Sequence, residues 1–106
     1  MLTNEKVLDI FRDYLEEDQA TEIVQTRHGL AVMLWDTAGE DWSNVKCCPT
    51  PEALFEELLD SFISYQEFLV VQNSSKVKCK LSNEEQAQIQ AMCLPYLEKR
   101  KEAEKT

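Results

Sequence analysis

The sequence predicts one α+β domain, a three-stranded antiparallel β-meander packed with about three helices in the order α–β–β–β–α–α. Two observations carry this fold class. Residues 30–35, which read L-A-V-M-L-W, form the most apolar run in the chain and have the length of a strand. Before and after the predicted strands in the sequence, apolar residues recur at three- and four-residue steps, which is typical of helices with one buried side. The 106 residues have the length of a single domain.

The central strand is predicted at residues 30–35 because its alternate positions are all apolar. A strand of this kind is expected to be covered on both faces. We expect one cover to be the helix over residues 51–71, and the other to be the first helix or a second copy of the chain. Gly29 and Gly39 are the only glycines and bracket the run, so we expect both to provide positive φ in hairpin turns.

Two further strands are predicted on either side of the central one. Residues 20–27 are rich in β-branched side chains, and residues 42–47 form another short stretch compatible with a strand. A two-residue turn at residues 28–29 would place Val24 opposite Met33.

The candidate functional residues lie at the second turn of this meander. If the loop over residues 36–41 closes symmetrically, Trp35 faces Trp42 across the sheet. Trp42 follows the acidic residues Glu40 and Asp41, and a tryptophan rimmed by acids is a common anchor of protein interfaces. The sequence therefore predicts an interface at Trp42, Glu40, Asp41 and Trp35, with packing of Trp42 under a helix as the alternative.

The first two helices are predicted from their caps and apolar stripes. Thr3 or Asn4 can cap a helix over residues 3–17, whose acidic C-terminal end is expected to be exposed and frayed. Thr50, followed by proline and glutamate, marks the start of the main helix over residues 51–71.

A third helix is predicted over residues 83–95, beginning with a capping box at Ser82. Pro95 should kink or end it, and residues 98–106 are expected to form a frayed, charged tail. Residues 76–81 alternate strictly between basic and apolar side chains, which fits either an edge strand or an extended linker.

Charge is distributed unevenly along the chain. Residues 1–60 hold 14 acidic and 4 basic residues, net −10, whereas residues 61–106 hold 6 and 7, net +1. This distribution argues against direct binding to nucleic acid and permits a basic protein partner. An acidic inhibitor that mimics DNA is an alternative, and homodimerisation through a helix or an edge strand is a further expectation. Without a long apolar run or a secretory signal pattern, we expect a cytoplasmic protein that does not bind membranes.

Three chemical interpretations of the sequence compete with simple packing of the same residues. The string D-T-A-G at residues 36–39 is similar to the switch segment of small GTPases, but no phosphate-binding loop precedes it. Cysteines at 47, 48, 79 and 93, with His28, have zinc-binding chemistry without a C-x-x-C pair, so packing is favoured over a thiol or zinc site. A cysteine–histidine hydrolase would lack an orienting acid. We therefore predict no enzyme activity, no cofactor and no metal.

The order and spacing of four stretches of the chain resemble those in a group of small proteins of bacterial conjugative elements. These stretches are residues 26–32, Trp35-Asp36, Trp42 and residues 48–54. The similarity covers roughly residues 20–70 and contains no catalytic motif. It implies a bacterial, cytoplasmic domain of unknown function that acts as an accessory protein. It assigns no functional residues.

Overall fold

The computed structural model describes residues 1–72 and 81–105. Its elements are α1 (Asn4–Ile10), α2 (Arg12–Glu17), β1 (Thr21–Thr26), β2 (Gly29–Asp36), β3 (Asp41–Cys48), α3 (Pro51–Gln72) and α4 (Asn83–Glu104). The strands form one antiparallel sheet in the order β1-β2-β3. The predicted α+β class and element order are therefore confirmed. Of the predicted strand or linker at 76–81, residues 76–80 lie outside the described residues.

The N-terminal segment was predicted as one helix over residues 3–17 and forms two short helices instead. They meet at Phe11, whose φ of −98° and ψ of 12° depart from helical values. Backbone hydrogen bonds still cross the junction, because the Phe11 amide donates to Val7 and the Leu15 amide donates to Phe11. The Phe11 ring stacks on Tyr96 of α4 at 4.8 Å between centroids, so the junction lies in the core.

The register of the first hairpin differs from the prediction by two residues. Thr26 pairs with Gly29, which places the turn at residues 27–28 and sets Val24 opposite Ala31 rather than Met33. Gly29 has a φ of 113°, and a Cβ there would lie 2.8 Å from the Cys48 carbonyl oxygen. Glycine is thus required where β2 begins and approaches the end of β3.

Gly39 does not have the positive φ that was predicted. In the second hairpin the left-handed residue is its neighbour Glu40, with a φ of 51°. A two-residue turn with glycine in the left-handed position was one solution for a hairpin, but residues 37–40 make a longer connection and place the strained conformation one residue later.

The core lies between one face of the sheet and the helices. Leu30, Val32 and Cys48 share the face that packs on α3, and α1 packs on α3 and α4. The second face of the central strand is not covered along its whole length as predicted, because Met33 is only half-buried and Trp35 is 37% exposed. The first helix is thus part of the helical layer.

The helix α3 begins as predicted. Thr50 caps it, since its Oγ1 accepts a hydrogen bond of 3.1 Å from the Ala53 amide. Its buried side chains recur at three- and four-residue steps and are Leu54, Phe55, Leu58 and Phe62.

The helix α4 starts with the predicted capping box at Ser82 but does not end at Pro95. It continues to Glu104, and residues 98–104 are helical rather than a frayed tail. Tertiary contacts explain the difference, because the Arg100 guanidinium lies 4.8 Å from the centre of the Phe55 ring. The N-terminal ammonium of Met1 also donates a 3.1 Å hydrogen bond to the Glu104 carbonyl oxygen.

Candidate functional site

The predicted interface residues meet at the end of the β2–β3 hairpin. Trp35 pairs with Trp42, and their ring centroids lie 4.9 Å apart with an angle of 68° between the planes. This edge-to-face contact is worth about 1 kcal/mol beyond the area it buries. The prediction that the two tryptophans face each other is confirmed. Both remain accessible, with Trp35 37% and Trp42 40% exposed.

The loop between these tryptophans is held by its own carboxylates. Asp36 Oδ1 accepts hydrogen bonds from the amides of Ala38 and Gly39, at 3.1 and 3.4 Å. Asp41 Oδ1 accepts a 2.8 Å hydrogen bond from the Trp42 amide. Aspartate is favoured in such turns because its short side chain reaches the backbone one to three residues on. The loop therefore presents exposed carboxylates beside the tryptophan pair.

A β-bulge interrupts the regular pairing of β3 with β2 after Trp42. Val32 pairs with Lys46 and Leu34 with Ser43, so Met33 lies opposite both Asn44 and Val45. Asn44 adopts a φ of 51°, which asparagine tolerates better than most residues. Val45 is left 61% exposed. We call Trp35, Trp42 and Val45 the tryptophan surface. The bulge was not predicted from the sequence, although an asparagine inside a strand pattern is a signal for one.

A second feature is an open cleft between α3 and the sheet. On the covered face of the sheet, Leu30 and Val32 are buried whereas Leu34 is 37% exposed. Along α3, Leu58 is fully buried and Phe68 is 58% exposed. The helix and the strand are therefore in contact at one end and separate toward the other.

The space between them has a volume of about 770 Å³ and is lined by residues 32–35 and 44–46 of the sheet. The opposite wall is one stripe of α3, formed by Glu57, Asp60, Ser61, Ser64, Tyr65 and Phe68. These residues recur at three- and four-residue steps and so lie on one side of the helix. This cleft was not predicted from the sequence.

Asp18 is one of the residues that line the cleft and is only 6% exposed. Its Oδ2 accepts hydrogen bonds from the hydroxyl groups of Tyr14 at 2.7 Å and Thr21 at 2.8 Å. Its Oδ1 accepts a 3.2 Å hydrogen bond from the Ala20 amide. The expectation of an exposed, frayed helix end is therefore wrong at Asp18, because three polar donors compensate the burial of the carboxylate.

The aromatic hydroxyl groups near Asp18 are held in their neutral form. Burial, together with the carboxylate of Asp18, raises the pKa of Tyr14 well above its usual value. Burial and the carboxylates of Glu17 and Asp18 raise the pKa of Tyr65. An ionised phenol beside a carboxylate would add a second negative charge, so both groups act as hydrogen-bond donors at neutral pH.

The cysteines are distributed over different environments. Cys47 is exposed, and its Sγ donates to the His28 carbonyl oxygen at 3.4 Å, whereas Cys48 and Cys93 are buried. Burial raises the pKa of the Cys48 and Cys93 thiols, which lowers the fraction of reactive thiolate. Cys79 lies outside the described residues. In the described part of the chain, no group of three or more potential metal ligands comes together.

Comparison of the chain with family models, curated proteins and solved structures found no match. The resemblance to proteins of conjugative elements therefore stays a prediction. Within residues 1–72 and 81–105, no helix has both the length and the apolar character needed to cross a membrane.

Proposed function

We propose that this protein is a non-enzymatic binding module that uses the tryptophan surface to bind a basic protein partner. The observation that supports this most strongly is the accessible Trp35–Trp42 pair at the end of an acidic hairpin. Tryptophan provides a large, stiff apolar contact, and burial releases about 25 cal/mol for each Å² of apolar surface removed from water. Exposed Val45 extends the same apolar area.

Charge favours a basic partner over a second copy of the chain. Asp36, Glu40 and Asp41 are all exposed around the two tryptophans. Two copies meeting at this hairpin would bring like charges together, and each copy carries a net charge of −9. Lysine or arginine side chains would pair with the same carboxylates and would speed the encounter by electrostatic steering.

Selection from a random-peptide display library tests the proposal without a known partner. Against the wild-type protein, we expect enrichment of peptides that combine lysine or arginine with aromatic or aliphatic residues. Trp42→Ala should weaken binding of the selected peptides at least about tenfold, since interface tryptophans commonly contribute 2 kcal/mol or more. Met92→Ala on α4 is the matched control, because Met92 is a similarly exposed apolar residue outside the hairpin. It should leave the affinity unchanged.

Two results would contradict the proposal. One is selection of peptides without basic residues, or of peptides that bind Trp42→Ala and wild type equally. The other is sedimentation of the protein alone as a dimer that Trp42→Ala dissociates, since a second copy would then occupy the surface. Because Trp42→Ala could also disturb the hairpin, Val45→Ser provides a second variant at a more exposed position.

A further inference from the structure

The cleft between α3 and the sheet has the dimensions of a small-molecule site. Its volume of about 770 Å³ lies within the range of roughly 300 to 1,000 Å³ that such sites occupy. Its helical wall extends from Glu57 to Phe68, eleven residues or about 16 Å of helix. One end is closed where Leu58 and Val32 are buried, and the other end opens beside Phe68.

The lining combines apolar surface with an excess of negative charge. Val32, Leu34 and Phe68 provide apolar contact on both walls. Asp18, Glu57 and Asp60 bring three carboxylates to the lining, whereas Lys46 brings one ammonium group. Lys46 can neutralise one carboxylate at most, so the cleft keeps a negative potential that its partly apolar walls strengthen.

Two of the carboxylates are placed to act together. Glu57 and Asp60 are three residues apart on α3, a spacing that brings Cβ atoms to within about 5–6 Å on one side of a helix. A single ammonium group has three N–H donors and can bond to both carboxylates. The Asp18 carboxylate is already satisfied by neutral donors and adds negative charge to the wall without needing a ligand for its own stability.

We propose that the cleft binds a small organic cation, an ammonium group carried on an apolar body. The ammonium group contacts Glu57 and Asp60, and the apolar body packs between Leu34 and Phe68. The lining of the cleft includes Trp35 and Val45 of the tryptophan surface, whereas the carboxylates proposed to bind the cation lie on α3. Removing the Glu57 and Asp60 carboxylates therefore tests this proposal without altering the residues of the tryptophan surface. A neutral or anionic ligand of the same shape would leave the two carboxylates desolvated and unpaired, which disfavours its binding.

Three probes with one hydrocarbon body separate the effect of charge from that of shape. Titration calorimetry with 4-phenylbutylamine, 4-phenylbutanol and 4-phenylbutyrate compares a cation, a neutral molecule and an anion. We expect the amine to bind at least about tenfold more tightly than the alcohol, since a charge-assisted contact contributes 1.4 kcal/mol or more. The carboxylate should show no binding.

Charge-removing variants locate the site. Glu57→Gln with Asp60→Asn should reduce the affinity for the amine to that for the alcohol, and should leave the affinity for the alcohol unchanged. Glu56→Gln is the matched control, because Glu56 is exposed on the same helix and does not line the cleft. Ser64→Phe, which fills the cleft from an exposed position, should abolish binding of both the amine and the alcohol.

Equal affinities for the amine, the alcohol and the carboxylate would overturn the proposal, as would the absence of binding by all three. It would also be overturned if the Glu57 and Asp60 changes left amine binding unaffected, or if Glu56→Gln weakened it equally. Glu57 is only partly buried and Asp60 is exposed, so these isosteric variants are expected to fold, and circular dichroism checks this directly.

Discussion

Asp18 shows how a single residue links the end of a helix to the sheet. Its carboxylate accepts hydrogen bonds from Tyr14 in α2 and from Thr21 and Ala20 at the start of β1. Net contributions of hydrogen bonds to charged groups are about 1.5 to 3 kcal/mol each. The three acceptor contacts therefore fix the direction in which the chain leaves the helical layer and enters the sheet.

Because of this cluster, the free energy of unfolding is expected to decrease at alkaline pH. The pKa of Tyr14 is raised in the folded state, mainly by burial, so the folded phenol stays protonated while the unfolded phenol ionises above about pH 10. Unfolding then releases a proton, and the unfolding free energy falls as the pH rises through that range. The fall due to Tyr14 is at most about 1.4 kcal/mol per pH unit.

Urea denaturation at a series of pH values above and below 10 measures this effect. Tyr14→Phe should be less stable at neutral pH by about 1.5 to 3 kcal/mol, because the Asp18 carboxylate loses one donor. Its stability should then decline less steeply than that of wild type in alkali. Identical slopes for the two proteins would show that Tyr14 is not the responsible group.

The sequence could not reveal the role of Asp18 for a physical reason. Three consecutive acids at the end of a predicted helix are typical of an exposed surface. The burial of one of them depends on donors from three other positions, and no local pattern encodes their convergence. The pairing of Trp35 with Trp42, by contrast, follows from the period of a strand and the symmetry of one short loop.

At the scale of secondary-structure elements, the sheet is defined by its turns. The turn of the first hairpin was predicted one residue too late, which shifts the strand register by two residues, because Gly29 was assigned to the turn rather than to the first position of β2. In the structure, Gly29 instead permits the close approach of the Cys48 backbone, because it has no Cβ. A glycine in a sequence indicates unusual backbone, but the partner that requires it can be distant in the chain.

The two glycines provide a matched pair of substitutions. Gly29→Ala should destabilise the protein by about 2 kcal/mol or more, since it places a Cβ at an unfavourable φ and 2.8 Å from a backbone oxygen. Gly39→Ala should change stability by less than about 0.5 kcal/mol, because a Cβ there would lie 3.3 Å from Asp36 Oδ2, a side-chain atom that only a small shift would move out of the way, and Gly39 does not have a positive φ. Denaturant titration of both variants gives the comparison. Equal losses would refute the role given to Gly29.

The helices show the same division between local and tertiary information. The caps at Thr50 and Ser82 are local signals, and both helix starts were predicted correctly. The continuation of α4 past Pro95 was not, because it depends on contacts such as that of Arg100 with Phe55. The cleft likewise depends on tertiary packing, because α3 contacts the sheet at only one end. No periodic pattern in the sequence predicts such a separation.

At the scale of the whole molecule, the net charge of −9 opposes the compact state through self-repulsion. Salt screens such repulsion, with a Debye length of about 30 Å at 0.01 M and 3 Å at 1 M. The melting temperature at pH 7 should therefore rise by a few degrees as sodium chloride is increased.

The control for this experiment is the same titration near the isoelectric point of about 4.5, where net repulsion is absent. The rise should largely disappear there. If salt stabilises the protein equally at both pH values, the effect comes from ion exclusion or general burial and not from the excess of carboxylates.

The hydrogen bond between Met1 and Glu104 brings the two ends of the described fold within 3.1 Å of each other. The described backbone therefore nearly closes on itself, and a covalent link between residues 1 and 104 could close it into a ring without moving any element. A ring made in this way has fewer unfolded conformations than an open chain. Backbone cyclisation should consequently stabilise the protein through the loss of unfolded-state entropy, with no new side-chain contact.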